Sequence, residues 1–125
     1  MTSAWFLRFG VIFALIGLAL GIYMGKAHDF TLMTVHAHIN LVGWVSFFLA
    51  GLFYAVRPAA DNRLAVAHIA AALPGMISLT TGIFGSVTGQ PWGPPVAILG
   101  AFLVLAGFLL FTINVFRHAE GPRQA

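Results

Sequence analysis

The sequence predicts an all-α membrane protein with four transmembrane helices packed as an antiparallel bundle. Its 125 residues are 60% hydrophobic and only 7% charged, whereas a soluble domain carries roughly 25% charged residues. Four apolar segments are each long enough for the roughly 20 residues that cross a bilayer as a helix. Short polar breaks separate them, so consecutive helices are expected to be antiparallel neighbours in one domain, 1–125.

The predicted spans end at charged or proline-containing stretches. They cover about 5–25, 31–56, 64–89 and 95–116. Charged or proline-rich stretches at 26–29, 57–63 and 90–95 separate the spans. The first span has a longer apolar run than a signal peptide, and neither a basic start nor a cleavage site accompanies it. We therefore expect it to remain as a membrane helix.

Small residues recur at helical spacing in the spans. Gly17 and Gly21 lie four apart in the first span, Gly85 and Gly89 four apart in the third, and Gly100, Gly107 and Asn114 are spaced by seven in the fourth. Such spacings let helix backbones approach closely in a membrane. A groove for a flat cofactor is one interpretation, but ordinary helix packing is favoured for each glycine.

The charges at the span ends predict the orientation. Five arginines fall on one side, and only Lys26 falls on the other; the arginines are Arg8, Arg57, Arg63, Arg117 and Arg123. This asymmetry places both termini in the cytoplasm, in a setting expected to be a bacterial inner membrane. The net charge of +3 thus reflects topology and not nucleic-acid binding. Because the chain has no cysteine, any metal must be held by histidine or oxygen ligands.

The main functional candidates are His36 and His38, which lie just inside the second span. An unpaired imidazole is costly in hydrocarbon, so histidines at this position indicate a site. At roughly 100° per residue the two rings point about 200° apart. They can hardly bind one ion or cofactor within a single protomer. A thin bundle cannot hide both polar faces, so we expect the chain to form oligomers.

Polar and small residues flank the histidine pair at helical spacing. Asn40 lies one turn below His36, and Gly43 continues that face with room for a flat group. Thr34 lies one turn above His38 on the other face. Such side chains commonly hold the non-ligating ring nitrogen of a metal-binding histidine.

The remaining histidines favour simpler roles. His68 lies about 24 Å deeper than His36 at 1.5 Å per residue, so the two cannot share a ligand, and alanines around His68 indicate helix packing. His118 lies at the end of the last span, where solvation and the helix dipole suffice. His28 falls in a loop beside Lys26 and is expected to be exposed.

The stretch His36–Ser46 (HAHINLVGWVS), followed by Gly51-Leu52-Phe53-Tyr54, resembles the haem-ligating helices of subunit I of haem–copper oxidases and nitric oxide reductases. In hydropathy and loop order, most of the chain is similar to the short four-helix proteins called cytochrome oxidase subunit I-like. The large subunit has three four-helix arcs, and this chain resembles one of them. The resemblance therefore implies a homotrimer, a closed ring of three copies.

The resemblance also implies a cofactor, haem b, bound by His36 of one protomer and His38 of its neighbour. Asn40 and Gly43 would lie along the porphyrin. Candidate partners for the propionates at the outer surface are Lys26, His28, Gln90 and Trp92. Such bis-histidine iron has no open position and favours electron transport, as in a cytochrome b, between quinol and a periplasmic redox partner.

The chain departs from the oxidases in ways that argue against a complete oxygen reductase. The three further histidines of the oxidase copper centre have no counterpart, and Tyr23 and Tyr54 are predicted at opposite ends of the membrane with no histidine partner. No Asp, Glu or Lys lies within a span core. The alternatives are a five-coordinate haem that binds NO, CO or O2, a copper or zinc site of His28, His36 and His38, copper as a second metal, and a purely structural subunit.

Overall fold

The computed structural model describes residues 1–120, and over that range the protein contains helices and short connections but no strand. The helices are α1 (Thr2–Ala27), α2 (Met33–His38), a π-helix (Ile39–Val45), α3 (Ser46–Val56), a short 3-10 turn (Pro58–Ala60), α4 (Arg63–Val87) and α5 (Gly93–His118). The second, third and fourth of these form one continuous helix, Met33–Val56. Arg123 lies outside the described residues.

Four helices in the described range are long and apolar enough to cross a membrane: Thr2–Ala27, Met33–Val56, Arg63–Val87 and Gly93–His118. Each end lies within three residues of the predicted one. Many large apolar side chains point outward, including Leu15 at 68% exposure and Phe116 at 86%. In an all-helical bundle this outer surface suits lipid contact. The prediction of an all-α membrane protein with four spans is confirmed.

The sequence predicts a uniform α-helix for the second span, but the structure differs. Seven residues of this span, from Ile39 to Val45, are π-helical. Side chains bond to carbonyls around this segment. Asn40 Nδ2 donates to the His36 carbonyl at 2.9 Å, and Ser46 Oγ donates to the Leu41 carbonyl at 2.8 Å. π-Helical stretches are rare and often mark functional sites. Here the π-helix begins directly after His38.

Glycines bring the helices together in two pairs. On α1, Gly10 faces the Phe48 backbone and Gly17 faces Asn40 on the second span. The most extensive contact joins α4 and α5, where Gly82 meets the backbone at Ala97. Close backbone approach at small residues is the usual mode of helix association in membranes. Helix packing therefore accounts for these glycines.

Polar loop residues secure the helix ends. Asp61 lies between α3 and α4, and its carboxylate accepts hydrogen bonds from the backbone N–H groups of Thr2 at 3.1 Å and Ser3 at 3.2 Å, while it also pairs with the Met1 amino group. Burial opposes ionisation of Asp61, but these donors outweigh it and lower its pKa to about 2. A residue from the middle of the chain thus caps the start of α1.

The loop before α2 is fixed by a local turn. His28 ends α1 in the left-handed conformation, with φ 53°. Asp29 Oδ1 then accepts hydrogen bonds from the Thr31 backbone N–H and hydroxyl at 3.0 and 2.6 Å. The hydroxyl bond is the main cause that lowers the pKa of Asp29. This turn sets the point at which the helix with the histidine pair begins.

Candidate functional site

The His36 ring lies against α1. Its Nδ1 is 2.9 Å from the carbonyl oxygen of Gly17, a residue of another helix. Gly21 provides the space for the ring, because a Cβ at that position would lie 2.9 Å from His36 Cε1. The imidazole is therefore oriented by a contact between two spans.

Asn40 completes this contact, as its predicted position one turn from His36 indicated. Its Nδ2 lies 3.3 Å from His36 Nδ1 as well as bonding to the His36 carbonyl. A Cβ on Gly17 would lie 2.5 Å from Asn40 Oδ1. The space left by Gly17 and Gly21 is thus filled by Asn40 and His36, so within the protomer it is a packing surface and not a groove for a flat cofactor.

Gly43 departs from the expectation that it borders an open face. It is buried, and a Cβ there would lie 2.9 Å from Phe13 Cγ and 3.1 Å from Met76 Cε. The physical reason is that the face shared by His36, Asn40 and Gly43 packs against α1, where these residues meet Gly21, Gly17 and Phe13 in turn. Gly43 serves the protomer interior.

His38 is oriented within its own helix. Its Nδ1 lies 2.8 Å from the Thr34 carbonyl oxygen, and the residue is partly exposed on the protomer surface. The expected contact with the Thr34 hydroxyl is thus not formed, because the bond uses the Thr34 backbone oxygen, which any residue at that position would supply. Within residues 1–120 the His38 ring forms no hydrogen bond with another helix, so the two histidines are supported unequally.

Both rings share a feature that matters for ligand binding. A carbonyl oxygen can only accept a hydrogen bond, so Nδ1 of each ring carries the proton and Nε2 keeps its lone pair. In His36 the Nε2 atom also lies 3.5 Å from Asn40 Nδ2, so a ligand would have to displace this contact. Metal-binding histidines commonly donate their other N–H in this way. His118 makes the same bond to the Asn114 carbonyl at 3.0 Å, so a ring that bonds within its own helix does not by itself indicate a ligand site. The distinctive feature is the contact of His36 with a second helix.

The other candidate residues lie at loops and helix ends. Lys26 and His28 are exposed at the end of α1, and Gln90 is exposed in the loop before α5. Trp92 is 42% exposed, and its ring packs over Gly85. These side chains form no hydrogen bond with His36 or His38 in the described part of the chain.

No group of three metal-ligating side chains comes together within residues 1–120. His28, His36 and His38 therefore do not form the copper or zinc site considered from the sequence. A three-histidine copper centre of the oxidase type is likewise not formed in this range.

A buried pair of polar residues, Tyr54 and His68, corrects the expectation that no tyrosine has a histidine partner. The Tyr54 hydroxyl lies 3.0 Å from His68 Nδ1, and the two residues are only 1% and 4% exposed. The Phe6 ring lies 4.5 Å from the His68 ring and Phe111 stacks on it at 5.1 Å. His68 does belong to helix packing, as predicted, but it also carries a specific hydrogen bond.

A small cavity adjoins this pair. Its volume is about 10 Å³, enough for about one water molecule. His68 and Ser46 supply its polar groups among aromatic and aliphatic side chains such as Phe108. The cavity has no room for a larger ligand.

Among known proteins, no family model, no curated protein and no solved structure matches this chain. The resemblance of the His36–Ser46 stretch to haem-ligating helices therefore stays an expectation.

Proposed function

We propose that this chain is a membrane haem protein of the cytochrome b type that carries electrons. The observation that supports this most directly is the orientation of His36 by α1. Its Nδ1 bonds to the Gly17 carbonyl at 2.9 Å, so Nε2 is the nitrogen that would ligate iron once its 3.5 Å contact with Asn40 Nδ2 is released. His38 has the same protonation pattern through the Thr34 carbonyl. Two neutral imidazoles are a ligand set suited to haem iron.

The two histidines fit a haem only if different copies supply them. Both belong to the α-helical turn Met33–His38, so the directions of their side chains differ by about 200°. We propose that each haem would be held by His36 of one protomer and His38 of the next. When bound there, haem supplies reversible one-electron transfer without an open ligand position.

We further propose that the protomer is an antiparallel bundle and that three copies close into a ring. Support for the antiparallel order comes from the contacts of α1, where Gly10 meets Phe48 and the later Gly21 meets the earlier His36. A ring is the closed assembly expected when two different faces of one chain meet. We also propose that both termini lie in the cytoplasm of a bacterium. Quinol and a periplasmic protein are the proposed redox partners.

Absorption spectroscopy of the purified protein tests the cofactor. We expect a sharp Soret band, a reduced α-band typical of haem b, and one haem per chain in a particle of three chains. His36→Ala and His38→Ala should each lose the haem. His118→Ala is the matched control, since it removes a histidine with the same type of helix bond, and it should keep the full spectrum. Full haem retention by His38→Ala would refute ligation between protomers.

The unequal support of the two histidines favours one second candidate, a five-coordinate haem that binds a gas. His36 is held by another helix, whereas His38 is held only within its own turn, so His38 is the ligand more easily displaced. Addition of CO to the reduced protein distinguishes the candidates. A shift of the Soret band selects the gas-binding protein, and an unchanged band selects electron transfer.

A further inference from the structure

We propose that a basic cleft between the ends of α3 and α5 binds the headgroup of an anionic phospholipid. The cleft is lined by Arg57 after α3 and by Arg117, His118 and Glu120 near the end of α5, and its volume is about 500 Å³. It lies apart from His36 and His38, and it does not depend on haem binding.

Arg57 is positioned across the cleft. Its Nη2 donates a hydrogen bond to the Ala119 carbonyl oxygen at 2.9 Å, which ties the chain after α3 to the end of α5. A guanidinium has five N–H groups, so donors remain for a ligand after this bond is made. The fixed position reduces the entropy that phosphate binding would otherwise cost the arginine.

The charge of the cleft favours an anion. Arg57 and Arg117 carry two positive charges against the one carboxylate of Glu120, and Glu120 forms no ion pair among the described residues. Arginine binds phosphate oxygens through paired N–H donors. Basic pockets between the ends of transmembrane helices are typical sites for anionic headgroups.

The apolar surroundings favour a lipid over free phosphate. Val56 forms part of the cleft wall and is 72% exposed, and Phe116, which precedes Arg117 in α5 but does not line the cleft, is 86% exposed. These side chains lie next to the charged groups, so a phosphate in the cleft would have apolar surface beside it for acyl chains. A soluble phosphate would make no use of that surface.

Thermal unfolding in a neutral detergent, with added phosphatidylglycerol or phosphatidylcholine, tests the proposal. Phosphatidylglycerol should raise the melting temperature in a saturable way, and phosphatidylcholine should not. Arg57→Gln and Arg117→Gln should each weaken apparent binding about fivefold, since a basic residue near a lipid surface contributes on that scale. Arg63→Gln is the matched control, because it removes the same charge in the first turn of α4, away from the cleft lining, and it should bind like the unmodified protein.

Two further measurements distinguish a lipid from free phosphate, and binding in the cleft from general attraction to the surface. Glu120→Gln removes the opposing charge and should tighten phosphatidylglycerol binding, a gain that misfolding cannot mimic. Inorganic phosphate and glycerol phosphate should not stabilise the protein at concentrations where the lipid does. Equal stabilisation by inorganic phosphate would overturn the lipid assignment, and equal loss in Arg63→Gln would show general surface attraction instead of a cleft.

Discussion

At the scale of single residues, Gly21 controls the position of His36. A methyl group at Gly21 would lie 2.9 Å from His36 Cε1, so Gly21→Ala must displace the ring or separate the helices. We expect the variant to lose several-fold in haem content and to melt at a lower temperature in detergent. Visible absorption and a thermal melt measure the two effects.

Gly25→Ala provides the control on the same face of α1. An added Cβ there meets nothing within 4 Å, so this change should keep the haem and stabilise the helix by about 0.5–1 kcal/mol. If both substitutions lowered haem content equally, the contact between Gly21 and His36 would have no special role.

The Tyr54–His68 bond is the second residue-scale test. Tyr54→Phe leaves a buried imidazole nitrogen without its partner, which should cost about 1–3 kcal/mol of unfolding free energy. The double variant Tyr54→Phe/His68→Phe should lose less unfolding free energy than the two single variants do together, because both polar groups are then absent. Tyr23→Phe, at a residue 57% exposed, should have no effect. Unfolding in mixed micelles measures all four variants, and additive losses would argue against the bond.

This pair could have been predicted by the depth arithmetic that separated His36 from His68. Tyr54 lies close before the end of α3 and His68 lies in the second turn of α4, so their depths differ by only about 4.5 Å at 1.5 Å per residue, which the long Tyr54 side chain can span. The signal is the depth of a tyrosine relative to a histidine, and not that of two histidines relative to each other. The directions of His36 and His38 were predictable because they depend on local helix geometry alone.

At the scale of elements, the cap on α1 makes stability depend on pH. The pKa of Asp61 is lowered to about 2 from its usual 3.8, so the folded state favours the carboxylate. Its contribution is complete above about pH 4 and is lost as the pH falls towards 2. Asp61→Ala should cost about 1 kcal/mol at neutral pH and remove this part of the acid sensitivity. Thermal melts between pH 7 and pH 2 measure it.

Glu120→Ala serves as the control for that measurement, since Glu120 is exposed beyond α5 and has no ion-pair partner among residues 1–120. Its stability profile with pH should match that of the unmodified protein. An unchanged profile in Asp61→Ala would mean that the cap contributes nothing to the fold.

The spans were predictable as elements and the π-helix was not. Apolar length sets the four spans, and it survives any change in local helical pitch. The π-helix depends on side chains that bond to nearby carbonyls, as Asn40 and Ser46 do, and on tertiary contacts such as those of Gly43. A hydropathy profile reports neither these hydrogen bonds nor the tertiary contacts.

At the scale of the whole molecule, the orientation in the membrane can be tested cleanly because the chain has no cysteine. Ala27→Cys and Ala59→Cys introduce single thiols at exposed positions in the first and second loops. We expect an impermeant maleimide to label the first in intact spheroplasts and the second only after permeabilisation. The reverse pattern would place both termini outside.

The contact between α1 and the second span also constrains how this sequence can change over time. Gly17 accommodates Asn40 and Gly21 accommodates His36, so each position is tied to one partner in another helix. In homologous chains, a larger residue at position 17 should occur only together with a smaller one at position 40. Position 21 should stay glycine wherever position 36 stays histidine. Covariation of these two pairs would thus record the fold, and an invariant 21–36 pair would record selection for the imidazole itself.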